Sequence, residues 1–239
     1  MKILLSNDDG YFASGIQSLA KELEKKHDIY LAAPTINHSA GSSALSVRKD
    51  IKVEEIKKNH YAVDGTPADC VHIALSCLIN EEIDIVVSGI NLGANLGDDV
   101  IYSGTVAAAL EGRHLDLSPI AISLVSHNNI SVENAAILSS DCIEEIIHHE
   151  IFSKNTLLNI NIPDYKTDKL NVEYTRLGKR GLPVPATQID KTDYYKIGAA
   201  GAPIDYKQGT DFYAISNNNV SISPICYDLT NKDLLNKID

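Results

Sequence analysis

The stretch Leu4–Gly10, LLSNDDG, places two adjacent aspartates directly after an apolar run. Residues 3–5 have the continuous apolar character of a parallel strand buried on both faces, and residues 7–10 have the composition of a turn. Two carboxylates this close repel each other unless a cation lies between them, which favours a divalent metal site. Because Asp-Asp-Gly is also common in plain solvated turns, the rest of the chain must decide between the two interpretations.

Composition limits the class of protein. The chain has 239 residues, of which 44% are hydrophobic and 22% charged, as in one large or two small globular domains. No apolar run approaches the roughly 20 residues of a membrane helix, and Asp8 and Asp9 come too early for a signal peptide, so we expect no membrane association and a cytoplasmic location. A formal charge of −11 argues against binding a long nucleic acid through its phosphates.

The cysteines show no CxxC pairing, which argues against a zinc ribbon and a thioredoxin-type redox site. The spacing of Cys70 and Cys77 places both on one face of a predicted helix, and we expect them to pack in the core. His148 and His149 are expected at the carboxyl end of a later helix, where positive charge is favoured.

Strands and helices alternate along the first 165 residues. Strands are predicted at 28–33, 83–87, 120–124 and 157–162, and residues 51–56 and 60–63 predict a short antiparallel pair at a sheet edge. Ser14 and Gln17 predict a capping box for the first helix, and Thr66, Pro67 and Asp69 predict the start of the second. The pattern is that of a Rossmann-like, three-layer α/β/α fold with a mostly parallel sheet.

Three polar loops follow predicted strands, at residues 7–10, 37–43 and 91–99. In parallel sheets, ligands bind in the crevice at the carboxyl ends of the strands, so we expect these loops to meet there. A further helix begins near Ser103, Gly104 and Thr105, and its free N–H groups and partial positive charge would suit a phosphate.

The composition changes after residue 170. Residues 178–209 are rich in glycine, proline and tyrosine and lack helical periodicity, which predicts hairpins projecting from the core. Residues 220–223 alternate like a strand, and residues 229–238 predict a short terminal helix or arm. We interpret the chain as a single domain, with a core of about residues 1–165 and an extension of about residues 166–239 that a partner subunit would cover.

Several motifs together resemble the stationary-phase survival protein SurE family: SNDDG followed by SGI, then SAGSS, GTPADC, SGINLGANLGDDVIYSGTVAAALEG, GTDFYAI and VSISP, in this order. The resemblance implies a metal-dependent phosphatase of nucleoside 5′- and 3′-monophosphates, with short polyphosphate as a further substrate. It also implies a Rossmann-like core, a protruding hairpin and a carboxyl-terminal arm that mediates homodimers or homotetramers.

The resemblance assigns roles to individual residues. The implied metal ligands are Asp8, Asp9, Ser39 and Asn91, with Asp8 or Asp9 handling the proton of the attacking water. The implied phosphate contacts are Asn95, Ser103, Gly104 and Thr105. Oxygen-only ligands select one hard divalent cation per subunit, Mg²⁺ or Mn²⁺ and, in a crystal, Ca²⁺. Such a cation can activate a water for attack on phosphorus.

Two other functions compete with this interpretation. A haloacid-dehalogenase-type phosphatase needs Asp-x-Asp, whereas here the aspartates are adjacent. A nonenzymatic nucleotide-binding module or a dinucleotide-dependent oxidoreductase would carry a glycine motif that is absent at the expected strand-to-helix positions. Two smaller questions stay open: His38 lies either at the crevice rim or against substrate, and Lys179-Arg180 is either a solvated basic turn or a lid-like contact.

Overall fold

The computed structural model describes residues 1–38, 41–152, 155–166, 171–190 and 192–237. The strands are β1 (Lys2–Ser6), β2 (Asp28–Pro34), β3 (Val53–Lys57), β4 (His60–Val63), β5 (Ile85–Leu92), β6 (Ile120–Leu124), β7 (Thr156–Ile162), β8 (Val172–Tyr174), β9 (Thr187–Gln188), β10 (Tyr195–Lys196) and β11 (Val220–Cys226). The α-helices are α1 (Ser14–Leu23), α2 (Pro67–Ile73), α3 (Gly104–Glu111), α4 (Val132–His148), α5 (Asp211–Ser216) and α6 (Lys232–Leu235).

Nine of these strands form one sheet, in the order β3-β4-β2-β1-β5-β6-β7-β11-β8. The strands from β4 to β7 are parallel to their neighbours, while β3 and β11 pair antiparallel with β4 and β7. The predicted α/β fold with a mostly parallel sheet is confirmed. Strand β1 has β2 and β4 on one side and β5, β6 and β7 on the other. The strand order therefore reverses direction between β1 and β5, and the loops after these two strands lie side by side at this switch point.

Helices cover both faces of the sheet because the side chains of each strand alternate between two cores. Ile3 and Leu5 of β1 belong to the core that also contains residues of α1 and α4, whereas Leu4 lies in the second core with residues of α2 and α3. Burial on both faces explains why β1 is continuously apolar, as the sequence predicted.

Two local predictions are wrong. Ser14 is not a cap, because Ala13 holds the N-cap position of α1 without a side-chain hydrogen bond, and Gln17 donates to the carbonyl of Tyr11 at 2.5 Å instead. Cys77 is exposed, while Cys70 is buried as expected. The chain follows α2 with a π-helical turn over Ala74–Leu78, and this wider turn takes Cys77 off the buried face.

Other boundaries agree with the sequence. Thr66 and Asp69 form a complete capping box around Pro67, and His149 is the C-cap of α4. The edge pair β3–β4 is antiparallel. However, β5 continues to Leu92 rather than ending at residue 87, so the polar residues 88–91 belong to the strand itself.

The extension contributes to the sheet as well as projecting from it. Strand β11 pairs with β7, and β8 pairs with β11. The predicted hairpin, β9–β10, lies between β8 and β11 in the sequence and forms a separate two-stranded sheet. After β11, the described residues of the terminal segment include α6, a four-residue helix without buried residues. Among the described residues, no helix combines the length and apolar character needed to cross a bilayer.

Candidate active site

The loops that follow β1, β2 and β5 meet at one edge of the sheet, as the sequence predicted. Asn37, after β2, donates its side-chain amide to Asp9 Oδ1 at 3.0 Å. The backbone N–H of Leu92, at the end of β5, lies 3.4 Å from Asp9 Oδ2. The N–H of His38 donates to the carbonyl of Asp8 at 2.8 Å, so the β2 loop lies directly on the acidic turn.

Asn7 and Gly10 shape the acidic turn itself. The Asn7 side chain is fully buried and pairs twice with Gly10, accepting its N–H at 3.1 Å and donating to its carbonyl at 3.0 Å. Gly10 has φ +108°, a conformation that other residues rarely adopt. These contacts hold Asp8 and Asp9 at a fixed place beyond the strand.

Asp8 lies at the bottom of the site, with only 4% of its surface exposed. Its Oδ1 accepts a hydrogen bond of 2.6 Å from the Thr105 hydroxyl. Burial raises the pKa of Asp8, and the neighbouring Asp9 charge raises it further, while the Thr105 hydrogen bond opposes the shift. A cation beside Asp8 would remove this penalty.

The amino terminus of α3 faces Asp8. A methyl group added at Gly104 would lie 2.7 Å from Asp8 Cβ and 2.9 Å from Oδ2, so only glycine fits here. Ser103 is the N-cap, and its hydroxyl accepts the Val106 N–H at 3.1 Å. The N–H groups of Gly104 and Thr105 bond to no described residue, and a helix start of this kind attracts anions.

The two asparagines of the candidate site are held differently. Asn91 donates its side-chain amide to the carbonyl of Gly93 at 2.8 Å, which leaves its side-chain oxygen available toward the crevice. Asn95 donates one amide hydrogen to Ser123 Oγ at 2.8 Å, and its second amide hydrogen has no described partner. Both arrangements are compatible with the ligand and phosphate roles that the sequence suggested.

Sequence reasoning missed the residues that hold Asn95. Asn159 and Asn161 of β7 are fully buried, and each donates a side-chain amide to the Asn95 carbonyl at 2.9 Å. Asn161 also accepts the Asn95 N–H at 3.0 Å. A signal existed, because two asparagines alternate with apolar residues inside a strand that is otherwise buried, and buried amides need partners.

The donor set suits a hard divalent cation, although it is not a cluster of acidic residues. Among the described residues, no group of three or more His, Cys, Asp or Glu side chains lies together in a way that could hold a metal ion. Two carboxylates and one amide oxygen are an oxygen-only set of low charge that leaves room for water and substrate. Ser39, the remaining predicted ligand, lies outside the described residues.

Arg180 does not belong to a solvated turn. Its side chain is 19% exposed, and its guanidinium lies 3.0 Å from Asp99 Oδ2 and 5.1 Å from the centre of the Phe212 ring. Lys179, in contrast, is exposed.

A cavity of about 260 Å³ lies away from the candidate site. It is lined by residues 113–119 and Tyr227, before β6 and β7, at the edge of the sheet opposite to the acidic turn.

The fold and this geometry define a class: a doubly wound α/β protein with an acidic turn facing the amino terminus of a helix. The chain belongs to the SurE family, since the model for "Survival protein SurE" matches residues 3–183.

Full-length relatives agree with this assignment. "5'-nucleotidase SurE" of Vesicomyosocius okutanii subsp. Calyptogena okutanii (strain HA) is 48% identical, over 100% of this chain and 96% of its own. The protein of the same name from Haemophilus influenzae (strain PittEE) is 46% identical, over 96% and 93%. The crystal structure of the SurE protein from Aquifex aeolicus superimposes with a TM-score of 0.88 at 36% identity, covering 100% of this chain and 98% of that one.

Proposed function

We propose that the protein is a divalent-metal-dependent 5′-nucleotidase that hydrolyses nucleoside 5′-monophosphates to nucleoside and phosphate. Its relatives over the full length carry the name 5'-nucleotidase SurE. Nucleoside 3′-monophosphates and short polyphosphate are further substrates to test, because all present the same terminal phosphoryl group to the site.

One observation carries the proposal: the buried Asp8 carboxylate lies against Gly104 at the start of α3. A carboxylate that needs a cation and a helix start that attracts an anion are in contact. A phosphate monoester bridging the two would satisfy both, since its oxygens bind a cation and accept hydrogen bonds from N–H groups.

Asp8, Asp9 and Asn91 would hold the cation, with Ser39 as the fourth proposed ligand. A bound Mg²⁺ or Mn²⁺ would neutralise phosphoryl oxygens and lower the pKa of a coordinated water. Asp8 or Asp9 would orient the attacking water and accept its proton.

Four residues would bind the phosphoryl group. The N–H groups of Gly104 and Thr105 point out of α3 without described partners, and Ser103 starts the helix. The second amide hydrogen of Asn95 adds a donor from the β5 loop. These donors are set before substrate arrives, so no free energy of reorganisation opposes stabilisation of the transition state. They also supply local positive potential that the acidic chain lacks overall.

The direct experiment is phosphate release from a panel of nucleoside monophosphates in Mg²⁺, in Mn²⁺ and in EDTA. We expect activity with 5′-monophosphates that EDTA abolishes and that added metal restores. Activity that persists in EDTA would contradict metal dependence. An aspartyl-phosphate trapped on Asp8 would contradict attack by water and would favour covalent catalysis.

We propose further that the extension forms a homodimer or homotetramer. Leu182 is 94% exposed and Ile197 82% exposed, and Tyr194, Tyr195 and Ile204 add further apolar surface. An apolar surface of this kind on a protruding segment is characteristic of protein–protein contacts.

Sedimentation of a Leu182→Glu/Ile197→Glu double variant tests this assembly, and we expect a monomer. Val47→Glu, at a valine that is 89% exposed and lies outside the extension, is the control and should leave the oligomer intact. An unchanged oligomer in the double variant would place the contact elsewhere.

We also propose that residues 1–239 work as one domain in the cytoplasm. Strands β8 and β11 of the extension complete the sheet that carries the site, which favours one folding unit. Cys70, Cys77, Cys142 and Cys226 are free thiols, which fits a reducing compartment.

A further inference from the structure

Asp211, at the start of α5, is a fully buried carboxylate outside the candidate active site. Its Oδ2 accepts the backbone N–H of Gly97 at 2.6 Å, and its Oδ1 accepts those of Gly178 and Phe212 at 2.8 Å. Within the described chain, no Lys, Arg or His lies within ion-pair distance of it. Hydrogen bonds from backbone N–H groups, rather than a cationic side chain, therefore offset the unfavourable free energy of burying this carboxylate.

Gly97 connects Asp211 to the site. It follows Asn95 by two residues and begins a stretch of 3₁₀ helix, Gly97–Tyr102, that ends directly at Ser103. Its φ is +72°, and a methyl group here would lie 2.7 Å from the Phe212 ring. The path of the chain into α3 is thus set at Gly97, where Asp211 and Phe212 hold it.

The start of the glycine- and proline-rich part of the extension, Gly178–Arg180, which we call the root of the extension, contacts the same segment. Gly178 packs against Phe212, where a methyl group would lie 2.3 Å from the ring. The N–H of Arg180 donates to Asp98 Oδ1 at 2.9 Å, and its guanidinium lies beside Asp99. The 3₁₀ helix is therefore held by Asp211 at Gly97 and by Arg180 at Asp98 and Asp99.

We propose that Asp211 is a positioning residue that, together with Arg180, fixes the segment between Asn95 and Ser103, and through it the phosphate-binding N–H groups of α3. This rests on the proposed function of those N–H groups. The carboxylate is suited to the task because both of its oxygens accept, so it holds the Gly97 segment and the root of the extension at once. It touches neither substrate nor metal ligand.

Asp211→Asn replaces one of the two acceptor oxygens with a donor that would oppose an N–H group. Asp164→Asn is a matched control, because Asp164 also accepts several backbone N–H groups, those of Asn128, Asn129 and Ile130, in a loop that does not touch the Asn95–Ser103 segment. Both variants would be compared with the full-length protein in Mn²⁺, after correction for the folded fraction by urea unfolding.

Two readouts separate positioning from general stability. In Asp211→Asn we expect faster amide hydrogen exchange at residues 97–103 and a kcat/KM for AMP that falls on the order of 10- to 100-fold, mainly in kcat. In Asp164→Asn we expect faster exchange only near residues 126–130 and kcat/KM within about threefold of wild type. Equal losses of kcat/KM in the two variants at matched folded fraction would overturn the proposal.

A milder pair keeps the proposal testable if Asp211→Asn does not fold. Arg180→Ala removes the guanidinium beside Asp99, while Arg176→Ala removes a comparable pair with Asp205 at 2.8 Å that lies off the segment. We expect only Arg180→Ala to speed exchange at residues 97–103 and to lower kcat severalfold, and unchanged exchange in it would overturn the proposal. A wild-type protein that releases no phosphate would overturn the proposed function, whereas the exchange comparison would still decide whether Asp211 holds the segment.

Discussion

Asp8 and Asp164 occupy equivalent places and have opposite surroundings. Each lies two residues beyond a parallel strand, β1 and β7 respectively, at the same edge of the sheet. Asp8 receives one side-chain hydrogen bond, from Thr105. The Asp164 carboxylate receives hydrogen bonds from the loop after β6, through the backbone of residues 128–130 and the side chains of Ser126 and Asn129.

The pKa values of the two carboxyls diverge accordingly. Burial raises the pKa of Asp8. At Asp164 burial also acts to raise the pKa, but the hydrogen bonds from the backbone of residues 128–130 and from Ser126 outweigh it, and the pKa is lowered. The Asp164 carboxylate receives its hydrogen bonds from the chain and fixes a loop. The Asp8 carboxylate receives few hydrogen bonds and can therefore bind a ligand.

The largest expected effect separates these two aspartates. Asp8→Asn should lower kcat/KM on the order of 10³-fold or more, because a neutral amide binds a divalent cation poorly. Its stability should not fall, since removing a buried charge beside Asp9 relieves repulsion. Asp164→Asn should do the reverse, lowering the urea midpoint while activity persists. Loss of activity in both variants to the same extent would refute the distinction.

Gly104→Ala tests how closely Asp8 must lie against α3. The added methyl group would lie 2.7 Å from Asp8 Cβ, so carboxylate and helix must move apart. We expect kcat/KM to fall on the order of 100-fold, because the proposed metal ligand Asp8 and the proposed phosphate-binding N–H groups of α3 are both displaced. Gly93→Ala is the control, since its methyl group meets nothing closer than 3.7 Å. Comparable kinetics for both variants would show that the contact is not required.

Thr105→Val removes the side-chain hydroxyl that donates to Asp8, in a fully buried position. The Thr105 hydrogen bond lowers the pKa of Asp8, so its loss should raise that pKa. Asp8 must be deprotonated to hold a cation, and the acid limb of the pH–activity profile should therefore move to higher pH. At a pH below the limb, activity should fall about tenfold when the limb moves up by about one pH unit. Thr105→Ser should restore the wild-type profile, and an unmoved acid limb in Thr105→Val would contradict this role.

His60 gives the smallest effect on activity and tests the fold apart from the site. Burial lowers the pKa of His60 to about 4, and Lys57 adds to the shift against the opposing charge of Glu24. Between pH 6.5 and 4 the unfolded chain protonates this histidine before the folded one does, so stability falls as pH falls.

The contribution of His60 between pH 7 and pH 5 is about 2 kcal/mol of unfolding free energy. Urea unfolding of His60→Gln should show that much less dependence on pH than wild type, with kcat/KM unchanged at pH 7. An identical pH dependence in the two proteins would show that His60 is not the group responsible.

Local sequence patterns were enough to predict most of the elements and the edge of the sheet where the candidate site lies. Continuous apolar strands, the Thr66–Asp69 capping box and the turn at Asn7–Gly10 are local patterns, readable because each depends on residues a few positions apart. The parallel arrangement then brings the loops after β1, β2 and β5 to one edge.

Only the tertiary structure decided which side chains hold the site in place. Thr105 meets Asp8 across 97 positions, Asn161 meets Asn95 across 66, and Asp211 meets Gly97 across 114. Thr105 is predicted to contact phosphate through its backbone N–H, and the structure adds a hydrogen bond from its hydroxyl to Asp8. Such partners follow from strand order and helix packing, which bring distant polar groups together because buried groups must find a donor or an acceptor.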